Sequence, residues 1–173
     1  MKHIRPKDKI VDLMKCPVLK KIVGIVHLRM IKEKHSLYGM QSFKQPGEAV
    51  SMVKPLFAMA DREMILVMSL NTKLEPLKVE VAAVGGINMC NVDVRNIFKH
   101  VLLNNGSYVI CFHNHLSNDP EPSYADRMVT RRIQESGRLL GIPLIDHIIV
   151  AEKSFYSFME QGFIENNNSG EVA

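Results

Sequence analysis

At 173 residues, 46% hydrophobic and 23% charged, the chain has the length and balance of one soluble globular domain with a single core. No run of about 18 apolar residues is present to span a membrane, and no apolar signal-peptide segment follows the basic N-terminus. The net charge of +4 is uneven, with eleven Lys/Arg against four Asp/Glu in residues 1–50 and eleven against fourteen in the remainder.

Such a basic N-terminal third could draw a nucleic acid weakly. No interleaved aromatics accompany the charge, so a solvated basic arm is the alternative. Trp is absent and aromatics make up 6%, which predicts an aliphatic core with some of the eleven Met filling gaps. Cys16, Cys90 and Cys111 form no CxxC pair, so neither a disulfide framework nor a thiolate zinc ribbon is indicated. Reduced, buried thiols in a cytoplasmic protein fit them.

Residues 1–20 read as a basic extension, and 21–31 (KIVGIVHLRMI) are β-branched enough for a strand. Gly39, Pro46 and Gly47 mark a loop, and Pro46 opens a helix whose apolar face carries Val50, Val53, Phe57 and Ala60. Pro55 within it is a potential kink. Met64–Leu70 and Leu77–Val84 read as strands joined by a polar turn, the second broken at Gly85-Gly86. Val92–Leu103 is an amphipathic helix stopped by Asn104-Asn105-Gly106. Tyr108–His113 is a buried strand. A Pro/Asn/Ser/Asp-rich loop leads to a long helix from Ser123 to about Leu140, which Gly141-Ile142-Pro143 ends. Leu144–Val150 and Phe155–Phe158 read as a last strand pair, with the domain spanning 21–163 and a disordered tail over 164–173. The order β-α-β-β-α-β-α-β-β predicts an α/β fold, a mixed sheet flanked by helices.

Chemistry concentrates in residues 112–126, FHNHLSNDPEPSYAD. His113 and His115 lie two apart at a strand end, so both point to one face, while Asn114 points the other way and is free for a structural role. Asp126 falls in the first turn of the long helix, with Ser123 as its N-cap in a Ser-x-x-Asp pattern. The helix dipole favours an ionised Asp there. Two His and one carboxylate leave a fourth position for water, the ligand count of a catalytic zinc. Glu63, at the start of a core strand, is the acidic residue best placed to work that water as a base. The Ser123 hydroxyl is suited to donate to an oxyanion. Taken singly, each has a plainer reading: core or surface histidine, helix cap, first-turn acid, strand-start residue. Their joint type, spacing and placement carry the functional one.

His-x-His, seven residues, Ser, two residues, Asp, with an upstream Glu on a strand, resembles the JAMM (MPN-plus) metalloprotease motif. The wider sequence looks like the RadC-type branch of that superfamily over about residues 22–163. The resemblance includes ADREMILVMSLNTK (60–73), Gly-Gly-Ile-Asn (85–88), HNHLSNDPEPSYAD (113–126) and LLGIPLIDHIIV (139–150). It implies a JAB/MPN fold similar to cytidine-deaminase-like sandwiches. It further implies one zinc per chain on His113, His115 and Asp126, Glu63 as general acid/base, Ser123 as oxyanion stabiliser, and a peptide or protein substrate of unidentified kind. Longer members carry an N-terminal helix-hairpin-helix region, of which the first 20 residues show no motif. Leu116 stands where the family has Pro, predicting a looser loop, and Asn118 where it has Gly, in a turn that Asn tolerates. Asp-Val-Arg-Asn (93–96) replaces His-Pro-Arg-Glu.

Other readings fit less well. His113-Asn114-His115 is not an HNH nuclease motif, whose residues are dispersed over a ββα unit. Asp119 has the wrong spacing for a metallo-β-lactamase pattern and reads as a turn residue before Pro120. Of Asp146 and His147, adjacent on a strand, only one can face the site, and His147 is expected there in a structural or supporting role. His3, His27, His35 and His100 have no partners at ligand spacing. The rivals to a zinc peptidase are a metal-dependent nuclease or phosphodiesterase, suggested by the basic N-terminal third, and a non-catalytic nucleic-acid- or protein-binding MPN module.

Overall fold

The computed structural model describes residues 42–58, 60–85 and 92–164. The expected basic extension (1–20), the strand over 21–31, most of the Gly-Gly-Ile-Asn segment, Cys16, Cys90 and the tail from Glu165 lie outside the described residues.

The elements are α1 (Pro46–Phe57), β1 (Met64–Leu70), β2 (Pro76–Val84), α2 (Val94–Leu103), β3 (Tyr108–Asn114), α3 (Tyr124–Leu140), β4 (Leu144–Val150) and β5 (Phe155–Ser157). They form one mixed sheet in the order β2-β1-β3-β4-β5. Among the described strands only β3 and β4 pair in parallel, and α3 supplies the crossover between them that a parallel pair needs. The other neighbours are antiparallel.

Both faces of the sheet are covered, which is why β1 and β3 read as nearly continuous apolar runs. On one face, Leu66, Met68, Leu70, Ile110, Phe112, Ile148 and Val150 pack against Ala49, Val50, Val53 and Phe57 of α1. On the other, Ile65, Val67, Val109, Cys111 and Ile149 meet Ile97, Phe98 and Val101 of α2 and Val129 and Ile133 of α3. Each such large side chain, fully buried, contributes about 1.5–3 kcal/mol. Ile164 is buried in the second cluster, so the packed chain continues to that residue. Cys111 is a free, buried thiol, as expected, and burial pushes its pKa up. No helix among the described residues is long and apolar enough to cross a membrane.

The ends of the helices differ from the pattern in explicable ways. α1 runs two residues past Pro55 and stops short of Ala60. The Ala58 and Ala60 amides bond the carbonyls of Pro55 and Phe57, three residues back, and these tighter turns end the helix. α2 starts at Val94 because the Asp93 side chain accepts from the Arg95 amide and caps it. α3 closes in a left-handed turn at Gly141 (φ +67°). The amides of Ile142 and Gly141 bond Gly137 and Arg138, so β4 starts straight afterwards.

Candidate metal centre

The β3–α3 junction brings the expected residues together. His113 lies in the last turn of alternation of β3, and the His115 amide still bonds the Val150 carbonyl of β4 at 3.1 Å, so the strand direction persists to His115. Both rings therefore leave the sheet on the α3 side, as period-two alternation requires. Asp126 reaches them from the first turn of α3. Its carboxylate oxygens are 3.4 Å from His113 Nε2 and 3.6 Å from His115 Nε2, and the two Nε2 atoms are 3.0 Å apart. One ligand atom from each residue lies within 4.8 Å of the other two.

Ser123 and Asp126 form a reciprocal capping box. Asp126 Oδ2 accepts from the Ser123 amide (2.7 Å) and hydroxyl (2.6 Å), and Ser123 Oγ accepts from the Asp126 amide (3.2 Å). Burial alone would raise the Asp126 pKa. The adjoining imidazoles of His115 and His113 and the two Ser123 donors outweigh it and hold the carboxyl well below the usual range. Asp126 thus stays an anion although only 2% exposed.

His115 Nδ1 is 2.8 Å from the Asp119 carbonyl oxygen, which can only accept, so Nδ1 carries the hydrogen and Nε2 is turned to the centre. The turn that presents this carbonyl has Asn118 at φ +62°, the conformation for which Asn is a fitting replacement of Gly, and Asn118 Oδ1 accepts from the Glu152 amide. Leu116 is half exposed beside it. The Asp126 carboxylate, 3.6 Å from Nε2, raises the His115 pKa against the effect of burial. His113 is fully buried and its pKa is driven well down, first by burial and then by His147. Behind it, His113 Nδ1 is 2.9 Å from His147 Nε2, and His147 Nδ1 is 2.6 Å from Thr130 Oγ1. Burial pushes His147 down to about 4, so its ring is neutral.

Two imidazole nitrogens and an ionised carboxylate converge on one buried point. This acceptor-rich set, of mixed nitrogen and oxygen type, fits a divalent cation such as zinc.

Glu63 precedes β1 and is partly buried. Burial raises its pKa, the His115 charge lowers it and the Asp126 charge raises it, so its carboxyl shares the field of the ligand set. Asn114, facing away from the ligands, takes the structural role foreseen for it. Its Oδ1 accepts from the Met64 amide and its Nδ2 donates to the Arg62 carbonyl. His147 faces the site and its neighbour Asp146 the opposite side, where Ser157 Oγ and the Met159 amide donate to it. Among the histidines without expected ligand partners, His100 pairs with Glu80. Thr130 was not singled out by the sequence. The only cue was its place four residues after Asp126, one helical turn along the same face.

A family model described as a RadC-like JAB domain matches residues 43–163. A UPF0758 protein of Methanosarcina barkeri is 38% identical over 119 residues, covering 69% of this chain and 52% of its own length. A UPF0758 protein of Listeria welshimeri is 38% identical over 118 residues (68% and 53%), and one of Shouchella clausii 39% over 118 (68% and 51%). The chain spans about half the length of these curated relatives. The match covers the described sheet, the three described helices and the residues of the candidate metal centre, and on that ground the chain belongs to the RadC-like JAB domain family.

Proposed function

We propose that the protein is a zinc-dependent hydrolase of JAMM type that cleaves peptide or isopeptide bonds. The observation that carries this reading is the convergence of His113, His115 and Asp126 within 4.8 Å, with the Glu63 carboxyl in their field. A zinc ion held by these three residues would polarise a scissile carbonyl and make a water acidic enough to attack it near neutral pH. His113 and His115 serve as neutral nitrogen donors, and Asp126 as the anionic one. Glu63, its proton affinity raised by partial burial, takes a proton from the attacking water and returns it to the leaving nitrogen. The Ser123 hydroxyl, bonded to Asp126 in this structure, would turn to donate to the developing oxyanion. The substrate is a peptide or protein of a kind the site does not specify. The suggested weak attraction of nucleic acid rests on the basic N-terminal third, most of which lies outside the described residues.

Elemental analysis of wild type beside His113→Ala tests the metal, and a peptide and isopeptide screen with Glu63→Gln tests the chemistry. The expected result is about one zinc per chain, lost in His113→Ala, and a Glu63→Gln protein that keeps zinc but not hydrolysis. Failure of the wild type to take up zinc at neutral pH would favour a binding module. Full hydrolysis by Glu63→Gln would remove Glu63 from its role.

A further inference from the structure

We propose that Thr130 and His147 are positioning residues that fix the tautomer of His113, so that its bare Nε2 faces the metal centre. The inference rests on the reading of His113 as a metal ligand. Thr130 Oγ1 is 2.7 Å from the main-chain oxygen of Asp126 and 2.6 Å from His147 Nδ1. The carbonyl can only accept, so the hydroxyl gives its single hydrogen there and is left as an acceptor. His147 Nδ1 must then be the donor, and a neutral imidazole has only one N–H. His147 Nε2 therefore offers a lone pair to His113 Nδ1, 2.9 Å away. His113 spends its own N–H on that bond. Its Nε2 is left unprotonated, facing His115 Nε2 and Asp126 Oδ1.

Thr130, His147 and His113 are all at 0% exposure, which shields these bonds from competing water. The His147 ring is stacked on Phe158 with centroids 5.2 Å apart and planes within 9°, which limits its rotation. The relay starts and finishes on one residue: the Asp126 carbonyl anchors it, and the Asp126 carboxylate is the third ligand. If the Thr130 hydroxyl pointed to His147 instead, each proton would shift one place. The last would then sit on His113 Nε2, where it would block coordination.

The test uses metal-free, 15N-labelled wild type, Thr130→Val and Thr130→Ser. Two-bond 15N–1H spectra show which ring nitrogen carries each proton, and competition with a chromogenic chelator measures zinc affinity. Wild type and Thr130→Ser should show Nδ1–H at both His147 and His113. In Thr130→Val the His147 proton should move to Nε2, and zinc affinity should fall about 10–100-fold, the usual effect of removing a group that orients a ligand. Thr130→Ser should stay near wild type, which separates the hydroxyl from a packing role. An Nε2–H tautomer of His147 in the wild type would overturn the proposal. So would a Thr130→Val protein with wild-type tautomers and zinc affinity. Should Thr130→Val fail to fold, the wild-type tautomers decide. Because the spectra need no zinc, a relay seen in a protein that takes up no metal would uphold the proposal while defeating the hydrolase reading.

Discussion

Asn114 grips the backbone on both sides of Glu63: its Oδ1 accepts from the Met64 amide at 2.8 Å, and its Nδ2 donates to the Arg62 carbonyl at 3.3 Å. The residue between the two proposed ligand histidines in sequence thus holds the segment of the proposed base. One strand end sets both halves of the site, the ligands through one face and the Glu63 segment through the other.

The first prediction follows from that grip. Asn114→Ala should leave zinc bound, because neither histidine depends on the amide. It should lower kcat by about 100-fold, the effect of a displaced catalytic group at a distance of about 1 Å. Elemental analysis beside steady-state kinetics checks both parts. A variant that keeps full kcat would show that Glu63 needs no such support.

Zinc affinity should depend on pH through His115. Its pKa is raised, chiefly by the Asp126 carboxylate beside it, so a proton competes for the nitrogen that would bind the metal. Affinity should be flat above that raised pKa and fall about tenfold per pH unit below it, one proton being displaced per ion bound. His113, already driven down by burial and His147, should add nothing in that window. Chelator-competition titrations across the range measure the slope, and a pH-independent affinity would contradict the assignment of His115.

Much of this site was legible because it rests on local rules. Alternation put His113 and His115 on one face and Asn114 on the other. Ser-x-x-Asp announced the capping box that fixes Asp126. The fitness of Asn118 for a left-handed turn followed from its side chain alone. Contacts made through space were less readable. Thr130 and His147 meet only because α3 crosses over β3 to reach β4, and sequence separation does not encode how a helix rotates on a sheet. The start of α2 was misplaced for a different reason. Val92 extended the apolar pattern and hid Asp93, which caps the helix.

Asp146 should make the protein less stable as pH rises. Burial pushes its pKa up to about 7, only partly offset by the Ser157 hydroxyl and the Met159 and His147 amides. A carboxyl whose folded pKa exceeds the unfolded value of 3.8 binds its proton more tightly when folded. Its favourable contribution is full below the unfolded pKa and is lost as pH climbs through about 7. Each unit of the difference is about 1.4 kcal/mol. Asp146→Asn keeps an acceptor for the Met159 amide and can donate to Ser157 Oγ, so it should remove this slope. The Tm difference between wild type and variant, followed from pH 4 to 8, should grow in favour of the variant. A constant difference would mean that Asp146 does not titrate in this range.

Gly137 reverses the usual rule for glycine in a helix. At a helical position such as this one, in the last turn of α3, Gly→Ala would ordinarily stabilise by up to about 1 kcal/mol. Here a Cβ would stand 2.4 Å from the Ile142 carbonyl oxygen and 3.2 Å from the Phe98 ring. The first neighbour is backbone, held by the bond from the Ile142 amide to the Gly137 carbonyl that closes the helix. It cannot withdraw without opening the α3–β4 turn and disturbing the register that brings His147 beside Cys111. Gly137→Ala should therefore destabilise by about 1–3 kcal/mol, the range for overpacking a tight core. Denaturant unfolding measures it. Because Gly141 has open space around its Cβ position but a φ of +67°, Gly141→Ala serves as the comparison: it should cost about 1 kcal/mol through backbone strain alone, without shifting the His147 ring signals that Gly137→Ala should move.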